Sequence, residues 1–221
     1  MTHLALSTGT PAFLAGPADG STPTTGLVLW PDIFGLRPVF EGHAQRLADD
    51  HRWAVCVIEM YPGQETLAVQ DRHGAAAAFQ DDDKLADLEA AIGLCGTAET
   101  HVMGFCMGGM YAMKSLASSS ITRSVAFYGM VHVPTGWAGE GQRDAVDFIR
   151  PRPEDLLAVF GGDDPWCPEA DQDELEALGA QVVRYPGAGH GWAQDPDREG
   201  YRAADAADAW TRAEAFLSGD R

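Results

Sequence analysis

The stretch Thr100-His101-Val102-Met103-Gly104-Phe105-Cys106-Met107-Gly108-Gly109 decides how this chain folds. A run read as a strand over 100–105 ends in Gly104-Phe105-Cys106-Met107-Gly108-Gly109, where small residues crowd a single cysteine against a helix start. G-x-C-x-G has the form of a nucleophile elbow with Cys in place of Ser. Such a turn lifts its side chain above the sheet, and glycines two positions either side let strand and helix close together. A thiol at a helix N-terminus also feels the positive end of the dipole, which favours thiolate. The competing reading is an inert thiol in a tight strand-helix junction, and the motif alone leaves both open.

Outward from this turn, apolar β-type runs alternate with amphipathic segments. Strands are predicted at 26–30, 53–58, 100–105, 124–128, 156–160 and 181–185, and helices over 39–50, 83–94, 107–117, 169–178 and 203–217. Residues 129–153, polar and rich in Gly and Pro, read as a long connection. The first ~25 residues break the alternation and suit an opening antiparallel hairpin. The βαβα order implies a mostly parallel sheet with helices on both faces. No repeat, low-complexity tract or linker divides 1–221, so a single α/β domain is expected.

Charge and cysteine usage narrow the function. Thirty-three acidic against 15 basic residues give a formal charge of -18. That field repels phosphate backbones and anionic bilayers, so neither nucleic acid nor a membrane surface is an expected partner. No window is long and apolar enough to span a bilayer, and residues 1–17 lack the basic and apolar regions of a signal peptide. A cytoplasmic protein, monomeric or a small homo-oligomer, is the expectation. Cys56, Cys95, Cys106 and Cys167 are widely spaced without a C-x-x-C pair, so free thiols are expected and no metal or cofactor.

Partners for Cys106 lie downstream. Gly161-Gly162-Asp163-Asp164 places acids directly after a predicted strand, and Gly187-Ala188-Gly189-His190-Gly191-Trp192 places a histidine in a glycine-rich loop after the last one. Open α/β sheets gather ligands at the carboxyl ends of their strands, where all three features fall. Nucleophile, acid, histidine is also the chain order of α/β-hydrolases. Each feature alone is weak, since a Gly-Asp turn is usually solvated and a lone loop histidine usually structural. Together they favour a triad in which Cys106 attacks an acyl carbon, His190 manages the proton and an aspartate fixes the imidazole. The backbone N–H of Met107 would then hold the oxyanion. Spacing does not choose between Asp163 and Asp164. His3, His43, His51, His73, His101 and His132 have no such setting and are read as surface or structural residues.

These residues resemble the dienelactone hydrolases (carboxymethylenebutenolidases), α/β-hydrolases with a Cys-Asp-His triad. The resemblance runs over nearly the whole chain, through Trp30-Pro31-Asp32-Ile33-Phe34-Gly35, Asp87-Leu88-Glu89-Ala90-Ala91-Ile92, GFCMGG, GGDDPWCP and GAGHGW. It implies Cys106 as nucleophile, Asp164 as acid and His190 as base. It also implies Ile33 as a second oxyanion N–H and Asp32, where the family has glutamate, as a thiol-activating carboxylate. Asp32 is one methylene shorter, and a turn-forming Pro-Asp pair is its plainer reading.

Four residues after the histidine, where family members that act on dienelactone carry an arginine for its carboxylate, this chain has Gln194. Arg72 is a candidate for a second such arginine. Losing a bidentate arginine weakens the case for that anionic substrate and leaves a small ester or lactone as the expected one. Tyr128, Trp166 and Trp192 adjoin the motifs and are candidates for a pocket wall, with core packing the alternative. Two further readings are a glutamine amidotransferase-like or peptidase-like cysteine enzyme and a noncatalytic binding module of the same fold. The first expects a His-x-Glu pair that His190-Gly191-Trp192 lacks, and the second leaves Cys106, Asp164 and His190 without a purpose.

Overall fold

A computed structural model describes residues 1–219. Eight strands form one sheet: β1 (Thr2–Ala5), β2 (Pro11–Ala15), β3 (Thr25–Trp30), β4 (Trp53–Ile58), β5 (Thr100–Phe105), β6 (Ile121–Phe127), β7 (Leu156–Gly161) and β8 (Gln181–Tyr185). Their spatial order is β1-β2-β4-β3-β5-β6-β7-β8. The first two form the expected antiparallel hairpin, which joins the sheet antiparallel to β4. All the remaining pairs are parallel.

Central strands β4, β5 and β7 are buried along their whole length, as continuous apolar runs covered on both faces must be. Exposed positions occur in the edge strands β1 and β8 and at Thr122 near the start of β6. The helices are α1 (Pro38–His51), α2 (Val69–Ala76), α3 (Asp81–Cys95), α4 (Met107–Lys114), α5 (Ala145–Ile149), α6 (Glu169–Leu178) and α7 (Ala203–Ser218). None of them is long and apolar enough to cross a membrane.

Two of these helices depart from expectation. Helix α2 has no apolar period, burying only Arg72 and Ala76. Helix α5 is five residues long and lies inside the segment read as a long connection. The predicted helix over 107–117 is α4 followed by a 3-10 turn at Ser115–Ala117.

A buried ion pair fastens the connection to the core. Lys114 Nζ, at the end of α4, lies 2.7 Å from Asp81 Oδ1 at the start of α3, the side chains 1% and 2% exposed. Asp81 Oδ2 accepts the Arg143 N–H at 2.8 Å, just before α5. Burial pushes the Lys114 amine down, while the hydrogen bond and charge of Asp81 oppose it. Asp81→Ala would strand an ammonium in the interior and is expected to destabilise the protein by about 3–5 kcal/mol in urea titrations. The double variant Asp81→Leu/Lys114→Met should recover most of that loss. A single-variant loss under about 1 kcal/mol would class the pair with ordinary surface bridges.

Candidate active site

The chain reverses from β5 into α4 at Cys106, whose φ of 58° and ψ of -120° lie outside the comfortable regions for a side-chain-bearing residue. Holding it there costs roughly 1–3 kcal/mol, so its surroundings must enforce it. They do so by close approach. A Cβ on Gly104 would overlap the Gly108 carbonyl, and one on Gly108 would overlap the carbonyls of Trp30 and Pro31. The Cys106 N–H donates to the Phe127 carbonyl on the neighbouring strand at 3.0 Å. The side chain that results is 8% exposed.

Among the backbone N–H groups beside this turn with no acceptor among the described residues are those of Met107, at the first position of α4, and Ile33, in the loop after β3. Both residues are buried. A buried orphan donor is rare in a folded chain, and one at a helix start with another on a neighbouring loop suits an incoming oxygen anion.

The loops after β7 and β8 supply the other members. Asp164 is buried and Asp163 is exposed. Asp164 Oδ2 lies 2.7 Å from His190 Nδ1, and Oδ1 accepts the Trp166 N–H at 2.9 Å. Of the two aspartates, then, Asp164 is the one brought to the imidazole. Burial acts to lower the His190 pKa, but the charge of the Cys106 sulfur and the hydrogen bonds from Asp164 and Cys106 outweigh it, so the ring is pushed up to about 10. The ring is thereby shifted towards its protonated form, with the Asp164 carboxylate held against Nδ1.

One Asp164 oxygen, the Cys167 sulfur and one His190 nitrogen lie within 4.8 Å of one another, a donor set a metal could notice. Its chemistry fits a metal poorly. Cys167 is fully buried, donates to the Gly129 carbonyl at 3.5 Å, and burial pushes it well above the ordinary thiol range. A neutral thiol is a weak ligand, and Asp164 and His190 are already committed to each other.

The structure brings Asp32, Tyr128 and Gln194 together in a buried network. Asp32 receives Arg37 Nη1 and Nη2 at 2.5 and 2.9 Å, the Phe34 N–H at 2.9 Å and Gln194 Nε2 at 3.1 Å. Four donors fill the roughly four lone-pair sites of a carboxylate. Asp32 is thus committed to fixing the loop that carries Ile33, and its oxygens are directed to Arg37 and Gln194 rather than to the thiol. Tyr128 O–H donates to Gln194 Oε1, so Gln194 ties the loops after β3, β6 and β8.

His43 adds a fourth anchor. Burial pushes the pKa of this ring down, and its Nε2 lies 2.6 Å from the Gln194 main-chain carbonyl, which can only accept. Arg37 went unmarked in the sequence because a contact across five loop residues has no periodic signature.

Arg72 is brought near the site without offering it a free cation. It donates from Nε to Leu67 O at 2.9 Å, from Nη1 to Ile33 O at 3.1 Å and from Nη2 to Glu65 O. It braces the Ile33 loop from beneath. Trp192 is core, packed on Tyr185 with ring centroids 4.6 Å apart, whereas Trp166 is 42% exposed beside the histidine. Two concavities elsewhere on the surface, of 480 and 640 Å³, are lined by no cysteine or histidine and offer no nucleophile-base pair.

Comparison with known proteins shows the family. The model of the dienelactone hydrolase family matches residues 10–219. The chain is 28% identical to the carboxymethylenebutenolidase of Pseudomonas putida over 226 residues, covering 94% of this chain and 90% of that one. It is 27% identical to carboxymethylenebutenolidase 2 of Cupriavidus pinatubonensis over 188 residues, 80% and 77% of the two chains. In fold it is similar to a dienelactone hydrolase-like promiscuous phosphotriesterase from metagenomic libraries. That likeness has a TM-score of 0.77 and 19% identity, over 99% of this chain and 97% of the other.

Proposed function

The chain belongs to the dienelactone hydrolase family, within the α/β-hydrolase superfamily, and we propose that it hydrolyses a small ester or lactone through a thioester on Cys106. The Cys106 thiolate adds to the substrate carbonyl, and the oxygen that becomes anionic is received by the Ile33 and Met107 N–H groups. Collapse breaks the bond to the leaving oxygen, which takes the proton from His190. Water, deprotonated by the now neutral His190, then cleaves the thioester and releases the acid, while Asp164 holds one imidazole orientation throughout.

The observation that carries this reading is the enforced positive-φ backbone of Cys106 together with an imidazole anchored on Asp164. A noncatalytic module would have no use for that strain. With Gln194 at the position of a family arginine, buried and bonded to Asp32 and Tyr128, and with Arg37 and Arg72 both engaged, the favoured substrate is an uncharged ester or lactone. A single domain over 1–221, working in the cytoplasm as a monomer or small homo-oligomer, completes the proposal.

The test is thiol reactivity. Burial pushes Cys56 far up, Cys95 up to about 12 and Cys167 well up, so none of these presents thiolate at neutral pH. Brief iodoacetamide treatment followed by peptide mass spectrometry is expected to place the label on Cys106, with hydrolysis of an ester and lactone panel lost in step. Labelling confined to the other three would remove Cys106 from the reaction.

A further inference from the structure

Three aromatic side chains from separate segments cluster beside His190. Trp166 lies in the loop after β7, its ring centroid 6.3 Å from that of His190. His73 of α2 lies parallel to Trp166, at 9° and 6.0 Å, and Trp137 from the connection after β6 stacks at 25° and 5.7 Å. Trp166 is held by its backbone N–H on Asp164, so the stack is registered to the triad itself.

The state of His73 follows from its partner. Trp137 Nε1 donates to His73 Nδ1 at 2.9 Å. An indole N–H can only donate, so Nδ1 must be the bare nitrogen and the ring neutral, with its proton on Nε2. That Nε2–H has no acceptor among the described residues, and the ring is half-buried. The result is a partly exposed indole next to the histidine, with one unclaimed neutral donor on the ring packed beyond it.

Resting on the acyl-transfer reading, we infer that Trp166 and His73 form the subsite for the leaving group. This group would be a planar conjugated alcohol, a phenol or enol, with a second oxygen that accepts from His73 Nε2–H. The side follows from the proton: the oxygen that His190 must protonate is the leaving one, so a ring beside His190 lies along the leaving group. The charge follows from the donor, since a neutral N–H suits a carbonyl, ether or hydroxyl oxygen. The far-end position follows from the order of the stack, His190 then Trp166 then His73.

Hydrolysis of cyclohexyl acetate, phenyl acetate and 4-acetylphenyl acetate tests this, each variant being compared with wild type on the same ester so that intrinsic reactivity cancels. Trp166→Leu is expected to lower kcat/KM about threefold to tenfold for the two aryl esters while leaving the cyclohexyl ester within about twofold. His73→Asn, whose amide oxygen still accepts from Trp137, is expected to lower only 4-acetylphenyl acetate, by about fivefold to tenfold. Calorimetry of 4-hydroxyacetophenone binding to Cys106→Ala protein, with and without Trp166→Leu, reads the subsite without turnover, and about tenfold weaker binding is expected with the leucine.

Equal losses on all three esters, or phenol binding indifferent to Trp166, would overturn the subsite. If wild type hydrolyses none of the esters, the acyl-transfer reading falls, and the calorimetry still decides the subsite.

Discussion

His190→Ala is expected to lower kcat/KM for a responsive ester or lactone by roughly four orders of magnitude while leaving the protein folded. The size follows from how many steps one ring serves. In the proposed reaction it delivers a proton to the leaving oxygen and then takes another from water. The fold should survive because His190 reaches the surface and its polar side-chain anchor is Asp164, 2.7 Å away. Asp164 would still accept the Trp166 N–H. Circular dichroism and urea titration of the variant should therefore resemble wild type, and His190→Gln controls for ring volume. Turnover within tenfold of wild type would exclude His190 as the base. Loss of turnover together with the fold would leave the glutamine variant to decide.

How much of this was legible beforehand depended on the range of each interaction. The strand at 100–105 and the helix after it were legible because apolar continuity and glycine spacing are local, and the left-handed Cys106 is what a G-x-C-x-G turn requires. The opening hairpin showed as a break in the βα alternation. Asp164 over Asp163 came from resemblance alone, since two adjacent acids in one turn differ only in which faces the loop after β8. Helix α2 was missed because its burial is carried by Arg72, whose guanidinium bonds three carbonyls where a periodic apolar stripe would ordinarily do the holding. Asp81 and Lys114 look like surface charges on helix patterns, and only their meeting across 33 positions makes them core. The contact of Gln194 with Asp32 spans 162 positions, and the Trp137 bond to His73 spans 64. No window on the chain contains either pair, so His73 read as an idle histidine.

Cys106→Ala is expected to abolish hydrolysis, with a loss of roughly 10⁵-fold or more, and to change His190 in a way that a merely structural cysteine would not. In the intact site burial disfavours the imidazolium, and the sulfur's charge is foremost among the effects that hold it up to about 10. Alanine removes that charge and its hydrogen bond, leaving burial opposed by Asp164 alone. The imidazole should then titrate well below its wild-type value, towards the ordinary histidine value of about 6.5, when followed by ring-proton NMR.

The sign of the pH dependence in wild type follows from the same coupling. His190 carries its proton below about 10, so delivery to the leaving oxygen persists through neutral pH and is lost as pH rises through that value. Alkylation of Cys106 needs only thiolate and should not fall over the same rise, so hydrolysis and labelling should part company on the alkaline side. If His190 titrated identically with and without the sulfur, the two groups would not be paired, and the strained turn at Cys106 would need another cause.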